Sequence, residues 1–228
     1  MAETKKHPTR RYRSPLMRVG KFISRWIVLK PLLKTQLRVR VYGRENLAGI
    51  DSKRAFIVIS NHASHLDAVL IMTKLSWRLA RKISTASAAD FWFKSRLRSL
   101  PVRILMNTFP VERGETNRYK GLTGQLLEEG VPILVMPEGS RSRTGTIGEF
   151  KPGVAALSIK HQVPVVPVAL VGTYAAWPPD SKLWRSGRPL VRARFGKPLL
   201  AKPGESVEKF NKRLRSTIIK LYDAEKSE

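Results

Sequence analysis

The 228-residue chain contains no cysteine and only four histidines. The absence of cysteine excludes disulfide bonds, a thiolate nucleophile and a cysteine-ligated zinc site, and it is compatible with a reducing compartment. Long apolar runs are missing as well, since no stretch reaches the roughly 18 consecutive apolar residues that a spanning helix needs. The apolar stretch near the N-terminus is interrupted by basic residues. Neither a spanning helix nor a secretory signal peptide is therefore predicted.

Acidic residues are scarce relative to basic ones. The chain has 17 Asp and Glu against 43 Lys and Arg, which gives a formal net charge of +26 and a pI near 11.1. Such an excess implies a polyanionic partner, which could be nucleic acid, an anionic membrane surface or an acidic protein. The alternative is a highly soluble basic surface without a specific partner.

Strand-like and helix-like segments alternate from residue 37 onward. Strands are predicted at 37–42, 55–60, 132–136, 163–170 and 191–195, and helices at 68–75, 86–106, 117–129, from Pro152-Gly153, and at 207–222. This alternation predicts an α/β fold with a mostly parallel sheet flanked by helices, and residues 37–228 are assigned to that domain.

The N-terminal segment has a different pattern. Residues 1–14 form a polar, basic tail, and 16–29 predict an amphipathic helix. Its apolar side would carry Leu16, Val19, Phe22, Ile23, Trp26 and Ile27, and the opposite residues Arg18, Lys21 and Arg25 would face anionic lipid. We therefore assign residues 1–36 to a basic tail and a membrane-binding helix, and expect peripheral attachment to the cytoplasmic face of an anionic membrane. The alternative is a helix that packs its apolar stripe on the domain.

The stretch "FIVISNHASHLDAVLIM" interrupts two apolar runs with a polar motif. His62 follows a predicted strand, and Asp67 falls in the first turn of the next helix. Asp67 can then orient one imidazole nitrogen while the other acts as a general base. A capping box from Ser64 to Asp67, with His62 incidental, explains the same residues. A serine triad is not predicted because the chain has no G-x-S-x-G elbow, and the dispersed histidines predict no metal site.

Small residues and cations follow the next predicted strands. In "MPEGSRS", Gly139 permits close approach of the backbone, Ser140 offers a hydroxyl, and Arg141 offers a bidentate fork for phosphate. Arg113 follows the apolar Phe109-Pro110-Val111, and Lys151 precedes a helix N-terminus that favours anions. Because ligands bind at the carboxyl ends of strands in open α/β sheets, these residues predict a phosphate site.

The blocks "NHASHLD", "FPVER", "MPEGSRS" and "VPVVPVAL" resemble, in order and spacing, those of the PlsC-type glycerolipid acyltransferases. The resemblance covers roughly residues 37–200. Met136 stands where the family often has Phe, and Ser140 where Thr is usual. The single amphipathic helix replaces a longer membrane anchor that many members carry.

This resemblance implies acyl transfer from acyl-CoA or acyl carrier protein to lysophosphatidic acid, without a metal or another cofactor. His62 would be the general base and Asp67 its orienting partner. The acceptor site would comprise Arg113, Glu138, Gly139 and Arg141, with Ser140 and Lys151 added from the pattern of the residues. A related acyltransferase for another lysophospholipid or a glycolipid remains open. A nucleic-acid-binding protein would explain the charge, but the chain has no recognised nucleic-acid-binding motif.

Overall fold

The fold is built on one seven-stranded sheet. The computed structural model describes residues 9–88, 106–111, 121–181 and 183–227. The strands are β1 Arg38–Tyr42, β2 Ile57–Ser60, β3 Ser84–Ala88, β4 Phe109–Val111, β5 Ile133–Val135, β6 Val165–Val171 and β7 Leu190–Phe195. Their order is β1-β7-β6-β2-β5-β3-β4. Among the described strands only β6 and β7 pair antiparallel, so the predicted mostly parallel sheet is confirmed.

Helices cover both faces of this sheet. The α-helices of the described residues are α1 Pro15–Ile23, α2 Lys30–Gln36, α3 Asp67–Lys74, α4 Trp77–Ala80, α5 Leu122–Glu128, α6 Gly153–His161, α7 Thr173–Ala176 and α8 Val207–Lys226. A π-helical segment, Ser24–Leu29, joins α1 to α2, and short 3-10 segments span Arg10–Arg13 and Arg44–Leu47.

The central strand β2 shows how the two layers arise. All four of its residues are buried, and successive side chains of a strand point to opposite faces. Ile57 and Ile59 belong to the core under α5, α6 and α8, whereas Val58 belongs to the core under α3 and α4. Burial on both faces explains why its first three residues are all apolar instead of alternating with polar ones.

The long helix α8 closes one of these layers. Ser206 caps its N-terminus by accepting a hydrogen bond from the backbone N–H of Lys209. Phe210, Leu214 and Ile218 are buried at four-residue spacing, which places them on one side of the helix. Most of its charged residues lie on the other sides of the helix, whereas Glu225 is buried and pairs with Arg194.

The helix predicted at residues 86–106 is wrong at its first residues. A helix was expected from residue 86, but residues 86–88 belong to β3, which pairs parallel with both β5 and β4. The segment Ser84–Ala88 consists of small residues without a clear apolar alternation, so pairing with its neighbours creates this strand. Residues 89–105 of the predicted helix, with their aromatic stretch Phe91–Phe93, lie outside the described residues.

The N-terminal helical segment exposes the predicted apolar side but buries two of the three basic residues predicted opposite it. Lys21 and Arg25, expected to face lipid, are only 3% and 7% exposed. The predicted apolar side faces outward, as membrane binding requires: its six residues are all exposed, from 43% for Trp26 to 77% for Leu16. The alternative in which the apolar stripe packs on the domain is therefore wrong, and so is the prediction that Lys21 and Arg25 are free to meet lipid.

Backbone carbonyls explain why these two cations are buried. The ammonium of Lys21 donates to the carbonyl oxygens of Arg81 at 3.0 Å and Ile83 at 2.6 Å. Arg25 donates to the carbonyls of Thr73 and Leu75. These carbonyls lie at or just after the C-terminal ends of α3 and α4, where the last backbone oxygens need partners and the helix dipole favours positive charge.

Candidate active site

The predicted catalytic and phosphate motifs meet at the carboxyl ends of β2 and β5. These two strands are parallel neighbours, so the loops that follow Ser60 and Val135 emerge at the same edge. The backbone N–H of Ser142 donates to the carbonyl of His62 at 2.7 Å and ties the two loops together. The topology thus places them as expected for a ligand site in an α/β sheet.

His62 and Asp67 form the predicted pair. Nδ1 of His62 lies 2.8 Å from Oδ2 of Asp67, and the side chains are 21% and 0% exposed. An ionised carboxylate only accepts hydrogen bonds, so Nδ1 carries the proton and Nε2 keeps its lone pair. A partly exposed imidazole in this tautomer can accept a proton from a bound hydroxyl.

Backbone amides hold Asp67 in place. The N–H groups of Ala63 and Ser64 each donate to its Oδ2 at 2.8 Å. The Ser64 hydroxyl instead donates to the carbonyl of Trp177 and accepts from the N–H of Leu66. The helix α3 begins at Asp67, with Leu66 as its N-cap and no side-chain cap hydrogen bond. The capping box from Ser64 to Asp67 with an incidental His62 is therefore wrong, and Asp67 binds His62 instead.

Glu138 joins the two loops through its carboxylate. Oε1 accepts from the backbone N–H of His62 at 2.7 Å, and Oε2 accepts from the N–H of Gly148 at 2.9 Å. Burial raises the pKa of this carboxyl above its usual range, and the two amides act against the shift. In this structure Glu138 positions the backbone of His62, while its predicted contact with an acceptor stays a prediction.

The remaining phosphate candidates lie around Gly139. Its φ of +76° lies in the left-handed region, and a Cβ there would come within 2.9 Å of Cε of Lys151. The positive φ favours glycine at this position, and the absence of a Cβ lets the Lys151 side chain lie close to the turn. Arg141 contacts the ring of His65 at 2.6 Å, and Ser140 is exposed. Arg113 lies outside the described residues, so its role stays a prediction.

Two site residues were missed by the sequence analysis. The buried side chain of Asn61 accepts from the N–H of Leu170 and donates to its carbonyl, which links the end of β2 to β6. His65 was not assigned a role, yet it contacts Arg141. Asn61 directly before the histidine was the available signal for the first, whereas the contact of His65 depends on tertiary structure.

The described residues contain no cluster of three His, Asp or Glu side chains that could hold a metal ion. The site is thus characterised by a buried carboxylate that orients a histidine, beside a glycine turn flanked by cations. The chain matches the acyltransferase family over residues 38–171, more than half of its length. It therefore belongs to the acyltransferase family.

Proteins with similar sequences are acyltransferases as well. A chloroplastic 1-acyl-sn-glycerol-3-phosphate acyltransferase of Brassica napus is 28% identical over 163 residues, which cover 68% of this chain and 42% of that protein. A probable 1-acyl-sn-glycerol-3-phosphate acyltransferase of Mycoplasma genitalium is 24% identical over 173 residues, covering 75% and 60%. The chain spans less than half the length of the Brassica napus, Cocos nucifera and Limnanthes douglasii relatives.

The fold is also that of a solved structure. PlsC, the 1-acyl-sn-glycerophosphate acyltransferase from Thermotoga maritima, aligns with a TM-score of 0.63 at 23% identity. The alignment covers 92% of this chain and 96% of that one. Similar architecture across nearly the whole of both chains confirms the predicted α/β fold.

Proposed function

We propose that this protein transfers an acyl group from an acyl thioester to the free hydroxyl of lysophosphatidic acid, which gives phosphatidic acid for phospholipid synthesis. The observation that carries the proposal is the hydrogen bond from His62 to the buried Asp67, within a chain of the acyltransferase family. The names of the relatives support a 1-acyl-glycerol-3-phosphate acceptor. The acyl donor is proposed to be acyl-CoA or acyl carrier protein.

The geometry supports direct transfer with His62 as the base. Nε2 takes the proton of the acceptor hydroxyl as its oxygen attacks the thioester carbonyl carbon. The tetrahedral intermediate then collapses, the carbon–sulfur bond breaks, and the imidazolium returns the proton to the leaving thiolate. Asp67 stabilises the imidazolium between these steps. A positioned base of this kind contributes about 10²–10⁴-fold to the rate.

The cations around the glycine turn are proposed to bind the acceptor phosphate. Arg141 and Lys151 both flank Gly139, on the loop that is hydrogen-bonded to the carbonyl of His62. A phosphate bound here would therefore hold the acceptor next to the base. Arg113 is proposed as a further ligand on the strength of its motif.

The direct test is an acceptor panel. Lysophosphatidic acid, other lysophospholipids, monoacylglycerol and a glycolipid would be supplied with acyl-CoA or acyl carrier protein, and products detected by mass spectrometry. We expect acylation of lysophosphatidic acid above all others, and none with the His62→Ala variant. Preference for another acceptor would move the protein to a different substrate within the family. Binding to duplex DNA without consumption of any thioester would favour the nucleic-acid alternative.

We further propose that the protein works peripherally on the cytoplasmic face of an anionic membrane. The exposed side of α1 and the following π segment presents Phe22, Ile23, Trp26 and Ile27 to solvent. Contiguous exposed apolar side chains on a basic protein fit a bilayer surface, where a long-chain acceptor resides. None of the described helices is both long and apolar enough to cross a bilayer.

Liposome flotation tests this surface. The intact protein should float with vesicles that contain phosphatidylglycerol, and the double variant Phe22→Glu/Trp26→Glu should float far less. Leu200→Glu is the control, because Leu200 is 54% exposed but lies outside the N-terminal helical segment. Equal flotation of the double variant and the intact protein would exclude this side of the helix as the membrane contact.

A further inference from the structure

The loop before α6 is held by side chains of the long helix α8. Nε of Arg215 donates to the carbonyl oxygen of Gly148 at 2.9 Å, and Nη2 donates to that of Ile147 at 3.3 Å. One turn earlier on α8, Nδ2 of Asn211 donates to the carbonyl oxygen of Phe150 at 2.7 Å. Residues four positions apart lie on the same side of a helix. Two neighbouring side chains of α8 therefore bind three carbonyls of one short segment.

The helix gives Arg215 a fixed base. Leu214 and Ile218 of the same helix are 1% and 0% exposed and belong to the core on one face of the sheet. The guanidinium also lies 3.2 Å from a carboxylate oxygen of Glu149, whose side chain is 87% exposed. Exposed ion pairs of this kind contribute little to stability. The contacts with the two carbonyls are therefore the ones that fix the loop.

The peptide unit between Ile147 and Gly148 links Arg215 to the active site. Its oxygen accepts from Arg215, and its N–H donates to Oε2 of Glu138 at 2.9 Å. The oxygen and the hydrogen of a trans peptide unit point in opposite directions. This unit is therefore held between a guanidinium and a carboxylate, and each of the two hydrogen bonds polarises the group that makes the other.

Glu138 extends the connection to the catalytic histidine. Its other oxygen, Oε1, accepts from the backbone N–H of His62 at 2.7 Å. A carboxylate is planar and rigid, so its two oxygens move together. Three hydrogen bonds in series thus run from Arg215 to the backbone of His62. Asp67 holds the imidazole ring, whereas this series holds the backbone that carries the ring.

We propose that Arg215 is a positioning residue that holds the backbone of His62 in place through Gly148 and Glu138. This role rests on the proposed function, in which His62 is the general base. A base acts only within hydrogen-bond reach of the proton that it takes, and small displacements of a catalytic group lower the rate. Arg215 lies 153 positions after His62 in the chain, so it affects the reaction only through this series of contacts.

Substitution of Arg215 should change kcat more than KM. We expect Arg215→Ala to lower kcat about tenfold, as for a lost hydrogen bond to a charged group. KM for lysophosphatidic acid should stay nearly unchanged, because the backbone of Lys151 keeps its own hydrogen bond to the carbonyl of Pro137 at 2.9 Å. Arg215→Lys keeps a charged donor for one carbonyl but not the planar fork that reaches two. Its kcat should lie between those of Arg215→Ala and the unmodified protein.

Arg213 is the matched control on the same helix. It also donates to a backbone carbonyl, that of Leu200 at 2.8 Å, and it also pairs with a glutamate, Glu205. These partners precede α8 in the chain and do not belong to the loop before α6. Arg213→Ala should therefore lower the melting temperature in circular dichroism at least as much as Arg215→Ala, while leaving kcat unchanged.

The backbone amide of His62 gives a direct readout of its position. The chain has four histidines, so protein labelled with ¹⁵N-histidine gives few backbone amide signals, and His62→Ala identifies the signal of His62. A weakened hydrogen bond moves an amide proton signal upfield. We expect this shift in Arg215→Ala and in Glu138→Gln, but not in Arg213→Ala. In a Glu138→Gln background, Arg215→Ala should neither move the signal nor lower kcat any further, because the connection is already broken.

The role of Arg215 is overturned if Arg215→Ala leaves the His62 amide or kcat unchanged, or if Arg213→Ala lowers kcat to the same extent. Arg215→Lys takes the place of Arg215→Ala in each comparison if the Ala variant does not fold. When the unmodified protein acylates lysophosphatidic acid, such a result shows that only the role of Arg215 is wrong. If the unmodified protein acylates no acceptor, the proposed function is wrong and the role of Arg215 falls with it.

Discussion

At the scale of single residues, the oxygen of Asp67 that meets His62 also accepts from two backbone amides. A fully buried carboxylate needs such donors to remain charged. The arrangement fixes both the tautomer and the direction of the imidazole. The chemistry therefore depends on a few atoms that the surrounding loop holds in place.

Separate substitutions of His62 and Asp67 should distinguish the effect of the general base on activity from the effect of the group that orients it. His62→Ala should lower kcat/KM by at least the roughly 10²–10⁴-fold that a general base supplies. Asp67→Asn should cost less, because the imidazole remains but is poorly oriented. Steady-state kinetics on the folded variants would measure both. His161→Gln is the matched control, since His161 lies at the end of α6. These roles would be contradicted if the Asp67→Asn variant were less active than the His62→Ala variant.

Glu138 offers a second test at this scale. Glu138→Gln replaces one accepting oxygen by an NH₂ group, so one of the N–H groups of His62 or Gly148 loses its acceptor. We expect a loss of about 1–3 kcal/mol in the free energy of unfolding and lower activity, because the backbone of His62 shifts. Glu149→Gln is the control, as its side chain is 87% exposed. Equal chemical denaturation midpoints for both variants would show that Glu138 does not hold the loops together.

At the scale of elements, the orientation of α1 and the following π-helical segment is decided by two buried basic residues. Lys21 and Arg25 bind carbonyls at the ends of α3 and α4, and the apolar side is left outside. A helical wheel gives the two sides of a helix correctly, but it does not say which side the domain can bind. Here four backbone oxygens in need of donors favour the basic side.

The pH dependence of stability tests the burial of Lys21. Burial, with a smaller effect of Arg18, lowers its pKa from 10.5 to about 7. Between these values the unfolded chain binds a proton that the folded protein has released. The free energy of unfolding therefore rises with pH in this window, by up to about 1.4 kcal/mol per pH unit. Denaturation from pH 7.5 to 10 should show this rise in the unmodified protein and a smaller rise in Lys21→Met, in which Lys30, Lys74 and Lys82 still have lowered pKa values.

A matched substitution controls for other groups that titrate in the same range. Lys34→Met removes an exposed lysine of α2 and should keep the pH dependence of the unmodified protein. If Lys21→Met and the unmodified protein change in parallel across the window, Lys21 is charged in the folded state throughout.

At the scale of the whole molecule, the net charge of +26 acts together with the exposed apolar side of α1. Charges at a surface are screened over about 10 Å at 0.1 M salt and about 3 Å at 1 M. Vesicle binding should therefore weaken as salt rises and as phosphatidylglycerol is replaced by phosphatidylcholine. The apolar contribution should persist at high salt and be absent from Phe22→Glu/Trp26→Glu. Flotation that is independent of salt would assign binding to apolar contacts alone.

Much of the fold and of the candidate site follows from local sequence. The strand β6 is apolar throughout, and β2 is apolar as far as Ser60, because both of their faces are covered. His62 and Asp67 are close enough along the chain to meet within one turn. Tertiary structure decided the rest. β3 is a strand because β4 and β5 pair with it, and Lys21 is buried because distant carbonyls need a donor. His65 contacts Arg141 because the loops after β2 and β5 emerge side by side. Such contacts join residues far apart in the chain, so the periodicity and spacing of residues along the sequence do not predict them.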